Sequence, residues 1–97
     1  PFIVKTPIFS TKFIYPKHNI ELKFEHLQHT GSFKPRGAFN SLLSAQVPKS
    51  GVVAASGGNH GAAVAFAATT LGHPAHIFVP KIAGKTNKKK KIKINKL

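Results

Sequence analysis

The chain has no cysteine, methionine or tryptophan, and its only acidic residues are Glu21 and Glu25. Without cysteine it can build neither a disulfide framework nor a thiolate metal site. No apolar run reaches the length of a transmembrane helix. The first residues show no charged start, long apolar stretch or small-residue cleavage site, so they do not indicate a signal peptide. These absences favour a cytoplasmic protein without a membrane partner.

The positive charge is concentrated at the end of the chain. The formal net charge is +13, of which residues 1–80 carry +5 and residues 81–97 carry +8. A block of like charge is usually solvated, and we predict that residues 85–97 form a disordered lysine-rich tail. Arg36 is the only arginine and no aromatic residue follows Phe78. The chain therefore has few side chains that could form bidentate phosphate contacts or stack on bases. The sequence therefore argues against nucleic acid as the main partner.

The first half of the chain predicts a strand, a loop and a helix. Three prolines exclude a continuous helix over residues 1–20. Apolar and charged residues alternate over Ile20–Glu25, which predicts a short strand with one buried face. After a loop over residues 26–32, we predict a helix with Ser32 as its N-cap and Pro35 in its first turn. Its apolar face would carry Ala38, Phe39, Leu42 and Leu43.

The second half predicts one βαβ unit. Val52–Ala55 is a short apolar run, typical of a buried parallel strand. A glycine-rich turn, Ser56–Gly61, precedes an alanine-rich helix over Ala62–Leu71 that ends at Gly72. The next strand is Ala75–Val79, and the crossover between the strands should be right-handed. The 97 residues thus predict a single small α/β domain at most.

The two turns suggest a site for an aldehyde cofactor. Lys34 lies between a turn and a helix start, where positive potential favours a neutral, nucleophilic amine that can form a Schiff base. Ser56–Gly61 follows a strand and offers backbone N–H groups that could hold a carboxylate. Its glycine spacing matches neither a Walker A loop nor a dinucleotide fingerprint. The pair indicates a pyridoxal-phosphate site, with a surface lysine and an ordinary βα turn as the alternatives.

Longer motifs around these turns resemble a known family. Leu22–Ala38 resembles the lysine motif of the pyridoxal-phosphate-dependent serine/threonine dehydratases, fold type II enzymes related to tryptophan synthase β and to serine racemase. Ala55–Gly61 resembles their asparagine loop, and Leu71–Pro80 the strand that follows it. Lys5-Thr6-Pro7 resembles their opening motif. The resemblance implies that residues 1–84 form the N-terminal portion of such an enzyme domain, an incomplete α/β fragment with a parallel βαβ unit.

The resemblance also implies a role for each matching residue. Lys34 would form the Schiff base with the cofactor and remove the substrate Cα proton, and Phe33 would lie against the cofactor ring. Asn59 would hydrogen-bond the 3′-oxygen of the cofactor. The loop that grips the carboxylate of an amino-acid substrate would comprise Ser56, Gly57, Gly58, Asn59 and His60. Full-length relatives would be homo-oligomers.

The implied reaction converts L-serine or L-threonine into a 2-oxo acid and ammonia. Serine racemases need a second base, a serine just before the glycine-asparagine pair. Here that position is Gly57, which has no side chain, so the residues favour a dehydratase. Ser56 lies one position away, and a different register would leave a racemase as the alternative.

The chain also departs from the family. The family's phosphate-binding loop and the polar residue facing the pyridine nitrogen come later and have no counterpart here. Asn87–Leu97 is a run rich in lysine, asparagine and isoleucine, for which a frameshift in an AT-rich gene is an economical explanation. We therefore expect weak or absent activity from this chain alone, with apolar surface left exposed on the alanine-rich helix.

The other open hypothesis is a non-catalytic remnant whose basic tail binds nucleic acid or acidic surfaces. His26 and His29 lack further ligands, so no metal site is predicted.

Overall fold

The computed structural model describes residues 1–81, which begin with an antiparallel hairpin. Strand β1 (Ile8–Thr11) pairs with β2 (Ile20–Lys23), with Ile8 opposite Lys23 and Thr11 opposite Ile20. The strand predicted over Ile20–Glu25 is present as β2, but it ends two residues early, because Glu25 already begins a short 3₁₀ turn. The prediction that one of its faces is buried is wrong, since β2 contains no buried residue. The sequence did not predict β1, whose four residues show no alternation of buried and exposed positions.

The predicted helix is α1 (Lys34–Ser44), reached through two 3₁₀ turns, Glu25–Leu27 and His29–Gly31. Its N-cap is Phe33, not Ser32 as predicted. The Ser32 hydroxyl only accepts a long hydrogen bond, 3.4 Å, from the Lys34 N–H. The helix therefore begins one residue later than a serine cap would require.

The βαβ unit has the predicted order and parallel pairing. Strand β3 (Val52–Ala55) and strand β4 (Ala75–Phe78) lie side by side, with Val52 opposite Ala75 and Ala55 opposite Phe78. Between them runs α2 (Asn59–Thr70), which starts three residues earlier than predicted. The glycine-rich turn is thereby shortened to residues 56–58, and its second half becomes the first turn of the helix.

The alanine-rich helix α2 is the centre of the core. It packs against α1 on one side and against both parallel strands on the other. The expectation that it would expose apolar surface is wrong, because its alanines are at most 7% exposed. Their small side chains let α1 and the two strands pack closely against the helix. The buried alanines are Ala62, Ala63, Ala65, Ala67 and Ala68. Apolar surface is exposed instead on the other face of the sheet, where Val53 is 72% and Phe78 66% accessible, and on residues outside the βαβ unit such as Phe13, which is 94% accessible. No helix within residues 1–81 combines the length and apolarity needed to cross a membrane.

Candidate active site

Lys34 is presented by a sharply bent loop. Thr30 and Gly31 both have left-handed backbone angles, with φ of 61° and 73°, and they turn the chain into α1. Gln28 holds the start of this loop: it is 4% exposed, and its side-chain amide donates to the Val4 carbonyl (2.8 Å) and accepts from the Val4 N–H (3.0 Å). The approach to the lysine is therefore tied to the N-terminal segment 24 residues away.

Lys34 is the first residue of α1, and its side chain is exposed. The Nζ atom lies 5.1 Å from the centroid of the Phe33 ring, within the range of a cation–π contact. Within residues 1–81 the amine has no hydrogen bond or ion pair. It is therefore free to react with a small molecule that reaches it.

The lysine opens onto a shallow cavity of about 560 Å³. The cavity wall combines the start of α1 with β3 and the first turn of α2; its lining residues are Phe33, Lys34, Arg36, Gly37, Ala38, Ser41, Leu42, Val52, Val53, Ala54, His60 and Val64. Of the residues predicted to form the site, the structure thus brings Phe33, Lys34 and His60 to one cavity. Ser56, Gly57, Gly58 and Asn59 adjoin His60 along the chain but do not line that cavity.

The glycine-rich loop presents an uncapped helix start. Its first residue is tied to the sheet by a hydrogen bond from the Ser56 N–H to the Phe78 carbonyl (2.9 Å), and the Ser56 hydroxyl accepts from the Gly58 N–H (3.2 Å). Gly58 occupies the N-cap position of α2, but it has no side chain that could accept a hydrogen bond from the first N–H groups of the helix. The first N–H groups of a helix have no carbonyl partner within it, and the helix dipole makes this end positive. The end of α2 is therefore suited to an anion.

The strongest electrostatic feature is Glu25, beside α1. Its carboxylate accepts two hydrogen bonds from Arg36, from Nε (2.9 Å) and Nη2 (2.8 Å), and one from the Thr6 hydroxyl (2.5 Å). The hydrogen bonds from Arg36, followed by that from Thr6, lower the pKa of Glu25 from 4.5 to about 2. The same contact raises the pKa of Arg36. Residues 1–81 contain no cluster of three or more histidine, aspartate or glutamate side chains that could hold a metal ion.

Residues 1–95 match the sequence profile of one family, described as pyridoxal-phosphate dependent enzyme. The chain belongs to this family. Members use the aldehyde cofactor that the lysine loop suggested. The fold agrees, since the structure of maize serine racemase superposes with a TM-score of 0.88 at 37% identity, covering 97% of this chain and 30% of that one.

Two curated members of the family are similar in sequence. The catabolic L-threonine dehydratase of Staphylococcus aureus (strain USA300) is 42% identical over 88 residues, which is 86% of this chain and 25% of that protein. The L-threonine ammonia-lyase of Thermotoga maritima is 56% identical over 66 residues, which is 66% of this chain and 16% of that protein. The chain therefore spans a quarter or less of the length of these relatives.

The residues present fit part of the family's cofactor. Within residues 1–81 the donor set combines an amine without a hydrogen-bond partner, an adjacent aromatic ring and a helix start without a side-chain cap. These three groups suit an aldehyde, an aromatic ring and an anion, respectively. Space is also left for a bound group: a Cβ added at Gly37, on the cavity wall, or at Gly58, at the helix start, would meet no atom within 4 Å.

Sequence reasoning missed several residues that shape this site. Val53 of β3 and Ser41 of α1 line the cavity, and only the packing of the two elements brings them there. The buried Thr6 and Gln28 tie the lysine loop to the N-terminal segment. The Lys5-Thr6-Pro7 motif was the available signal for Thr6, whereas nothing in the sequence marks the contacts of Gln28.

Proposed function

We propose that this chain supplies the lysine-bearing part of the active site of a pyridoxal-phosphate-dependent lyase. The enzyme would convert L-threonine or L-serine into a 2-oxo acid and ammonia. The observation that carries the proposal is the amine of Lys34, which has no hydrogen bond or ion pair within residues 1–81 and opens onto a cavity beside the start of α2. The threonine dehydratase and ammonia-lyase among its relatives support the same reaction.

Lys34 would act first as the residue that binds the cofactor and then as a base. Its Nζ would hold the cofactor through the aldehyde carbon, with loss of water, and, once displaced there by the substrate amine, the freed lysine amine would accept the Cα proton of the substrate. When bound, pyridoxal phosphate supplies an electron sink that makes this proton acidic. Phe33 would hold one face of the ring, since its own ring already lies beside the lysine amine. The Asn59 amide would donate a hydrogen bond to the 3′-oxygen.

The start of α2 would bind the carboxylate of the amino-acid substrate. The binding loop would comprise Ser56, Gly57 and Gly58 and the first helical residues Asn59 and His60. The backbone N–H groups of Gly57, Asn59 and His60 would face the carboxylate, whereas those of Ser56 and Gly58 hold the loop itself in place. Neither Gly57 nor Gly58 carries a side chain that would obstruct a carboxylate, and a Cβ at Gly58 would enter open space. This loop would orient the Cα–H bond toward Lys34.

The loop also favours a lyase over a racemase. A racemase needs a second proton-carrying side chain, and Gly57 has none. The neighbouring hydroxyl of Ser56 accepts a hydrogen bond from Gly58 within its own loop, so it is engaged in holding the turn. The similarity to maize serine racemase keeps a racemase as the second candidate.

We further propose that residues 1–84 form a partial enzyme domain and residues 85–97 a separate lysine-rich tail. The tail lies outside the described residues. Because the chain spans 25% of the dehydratase it resembles, we expect weak or no turnover from this chain alone. Complete catalysis would need the groups that hold the cofactor phosphate and the pyridine nitrogen. In the full enzyme we expect subunits to assemble as homo-oligomers.

Cofactor attachment tests the proposal directly. The purified chain is mixed with a low concentration of pyridoxal phosphate and reduced with borohydride, and the labelled lysines are mapped by peptide mass spectrometry. We expect dominant labelling at Lys34, lost in Lys34→Ala and kept in the control Lys49→Ala. Labelling spread evenly over the tail lysines, with Lys34 no more reactive than Lys49, would contradict the proposal.

A further inference from the structure

Glu25 joins three segments of the chain that meet behind the lysine loop. It begins the 3₁₀ turn that follows β2, and its side chain is 17% exposed. One oxygen, Oε2, accepts from Nε of Arg36, and the other, Oε1, accepts from Nη2 of the same guanidinium. Such two-point pairing fixes the orientation of both groups as well as their separation.

The N-terminal segment is attached to the same carboxylate. Thr6, only 3% exposed, donates its hydroxyl to Glu25. Lys23 lies 3.7 Å from Oε1 of Glu25 and donates to the Thr6 carbonyl at 3.0 Å. Glu25, Arg36, Thr6 and Lys23 thus form one cluster, which we call the Glu25 cluster. Glu21, the other acidic residue, lies exposed on β2 and takes no part in it.

The Glu25 cluster holds the helix turn that carries the reactive amine. Arg36 is two residues beyond Lys34 in the first turn of α1, and both line the cavity. Within residues 1–81, helix α1 has no side-chain cap, and the Lys34 N–H makes no contact besides the 3.4 Å hydrogen bond to Ser32. The bidentate pair with Glu25 is therefore the strongest side-chain contact that fixes the direction of this turn.

We propose that Glu25 is a positioning residue for Lys34, acting through Arg36. This inference rests on the proposed function, in which Lys34 receives the cofactor. By fixing the guanidinium, the carboxylate fixes the first turn of α1 and the direction in which the lysine amine enters the cavity. Small displacements of a reacting group lower reaction rates steeply, so a contact outside the reacting atoms can still control them.

The groups around Glu25 keep its carboxylate ionised down to low pH. Arg36 faces the carboxylate from α1 and Lys23 faces it from β2, while Thr6 adds a neutral donor. Their hydrogen bonds and charges depress the pKa of Glu25 to about 2. A depressed carboxylate pKa contributes stability that is present above the unfolded value and is lost as the pH falls toward the folded one. The stability that this contact contributes is thus fully present above about pH 5 and is lost as the pH falls toward 2.

The test compares Glu25→Gln with Glu21→Gln, the same change on the exposed side of β2. Both are labelled with pyridoxal phosphate across a series of pH values, with labelling at Lys49 as the reference within each sample. In Glu25→Gln we expect the ratio of Lys34 to Lys49 labelling to fall roughly tenfold at the high-pH plateau. Glu21→Gln should retain the parent ratio. A full plateau reached at a shifted pH would mean that Glu25 acts by charge alone and would overturn the proposal.

Arg36→Lys is the second variant, because it keeps the positive charge and loses the two-point geometry. We expect it to lose Lys34 labelling as Glu25→Gln does, with an unchanged far-ultraviolet circular dichroism spectrum. Full labelling in this variant would contradict a positioning role for the bidentate pair.

Hydrogen–deuterium exchange without cofactor separates this inference from the proposed function. In Glu25→Gln we expect faster exchange in peptides that cover the first two turns of α1 and unchanged exchange in α2. Glu21→Gln should exchange at the rates of the parent chain. Unchanged exchange in α1 would overturn the positioning role of Glu25, whatever the labelling shows. Absence of Lys34 selectivity in the parent chain would overturn the proposed function instead, even where exchange in α1 responds as expected.

Discussion

Thr30 is the most strained residue in the loop that leads to the lysine. Its φ of 61° and ψ of 8° lie in the left-handed region, where a β-branched side chain is disfavoured by its contact with the backbone. Its hydroxyl oxygen is buried and has no hydrogen-bond partner among residues 1–81. Strain concentrated in one residue is a common feature of loops that hold a reactive group in place.

Replacing Thr30 by asparagine should therefore stabilise the protein. Asparagine adopts left-handed angles more readily, and we expect the free energy of unfolding to rise by about 1 kcal/mol. Urea denaturation followed by circular dichroism would measure the change. The control is Thr69→Asn, an exposed position within helix α2, where we expect no gain. A clear loss of stability in Thr30→Asn would show that packing of the threonine methyl group outweighs the strain of the backbone.

At the scale of elements, the start of β3 depends on one glycine. Gly51 has φ of +86°, and its N–H donates to the Pro48 carbonyl at 2.9 Å. The next N–H, that of Val52, donates to the Pro74 carbonyl at 2.9 Å, just before β4. The two strands are thus brought together over the Cα atom of Gly51, where no side chain fits.

Gly51→Ala should disrupt the βαβ unit. An added Cβ would overlap the Pro74 carbonyl oxygen and lie 2.6 Å from its carbon, in a backbone conformation that alanine avoids. We expect a loss of roughly 3 kcal/mol, combining overpacking and left-handed strain. Gly72→Ala is the matched control, because Gly72 has φ of +79° but no atom within 4 Å of the added Cβ; it should lose about 1 kcal/mol. Equal losses in urea denaturation would show that the clash with Pro74 contributes nothing.

The elements differ in how far local sequence determines them. Strand β3, helix α2 and strand β4 are rich in apolar residues and have glycine or proline near their ends, and their presence and order were predicted correctly. Strand β1 could not be predicted in the same way, because Ile8–Thr11 is mostly exposed and exists through its pairing with β2. Alternation of apolar and charged residues indicated its partner β2, but the sequence of β1 itself carries no such pattern.

The same distinction applies to the candidate site. Lys34 and the glycine-rich turn could be predicted because each belongs to a local motif with a chemical rationale. The cavity wall from β3 and the contact between Thr6 and Glu25 could not, since they join residues that only the packing of elements brings together. The possible pairing of Glu25 with Arg36 could be noticed from their charges, but its two-point geometry could not.

At the scale of the whole molecule, the chain combines a high positive charge with an exposed apolar face on the sheet formed by β3 and β4. Strands of a parallel sheet are normally covered on both faces, whereas within residues 1–81 α2 covers one face and no element covers the other. The open face carries Val53, Ala55, His76 and Phe78, and its two large apolar residues are 72% and 66% exposed. A net charge of +13 opposes the approach of two copies, and salt weakens that repulsion.

We therefore expect self-association that increases with salt concentration and depends on the open face of the sheet. Sedimentation velocity at low and high salt should show a monomer shifting toward larger species, because screening lets apolar surface be buried between copies. The double variant Val53→Thr/Phe78→Thr keeps β-forming residues but removes apolar area, and it should remain monomeric at high salt. Phe13→Thr is the control, since Phe13 is 94% exposed in the hairpin loop, away from the sheet. If Phe13→Thr alone abolished the association, the hairpin and not the open sheet face would be the surface responsible.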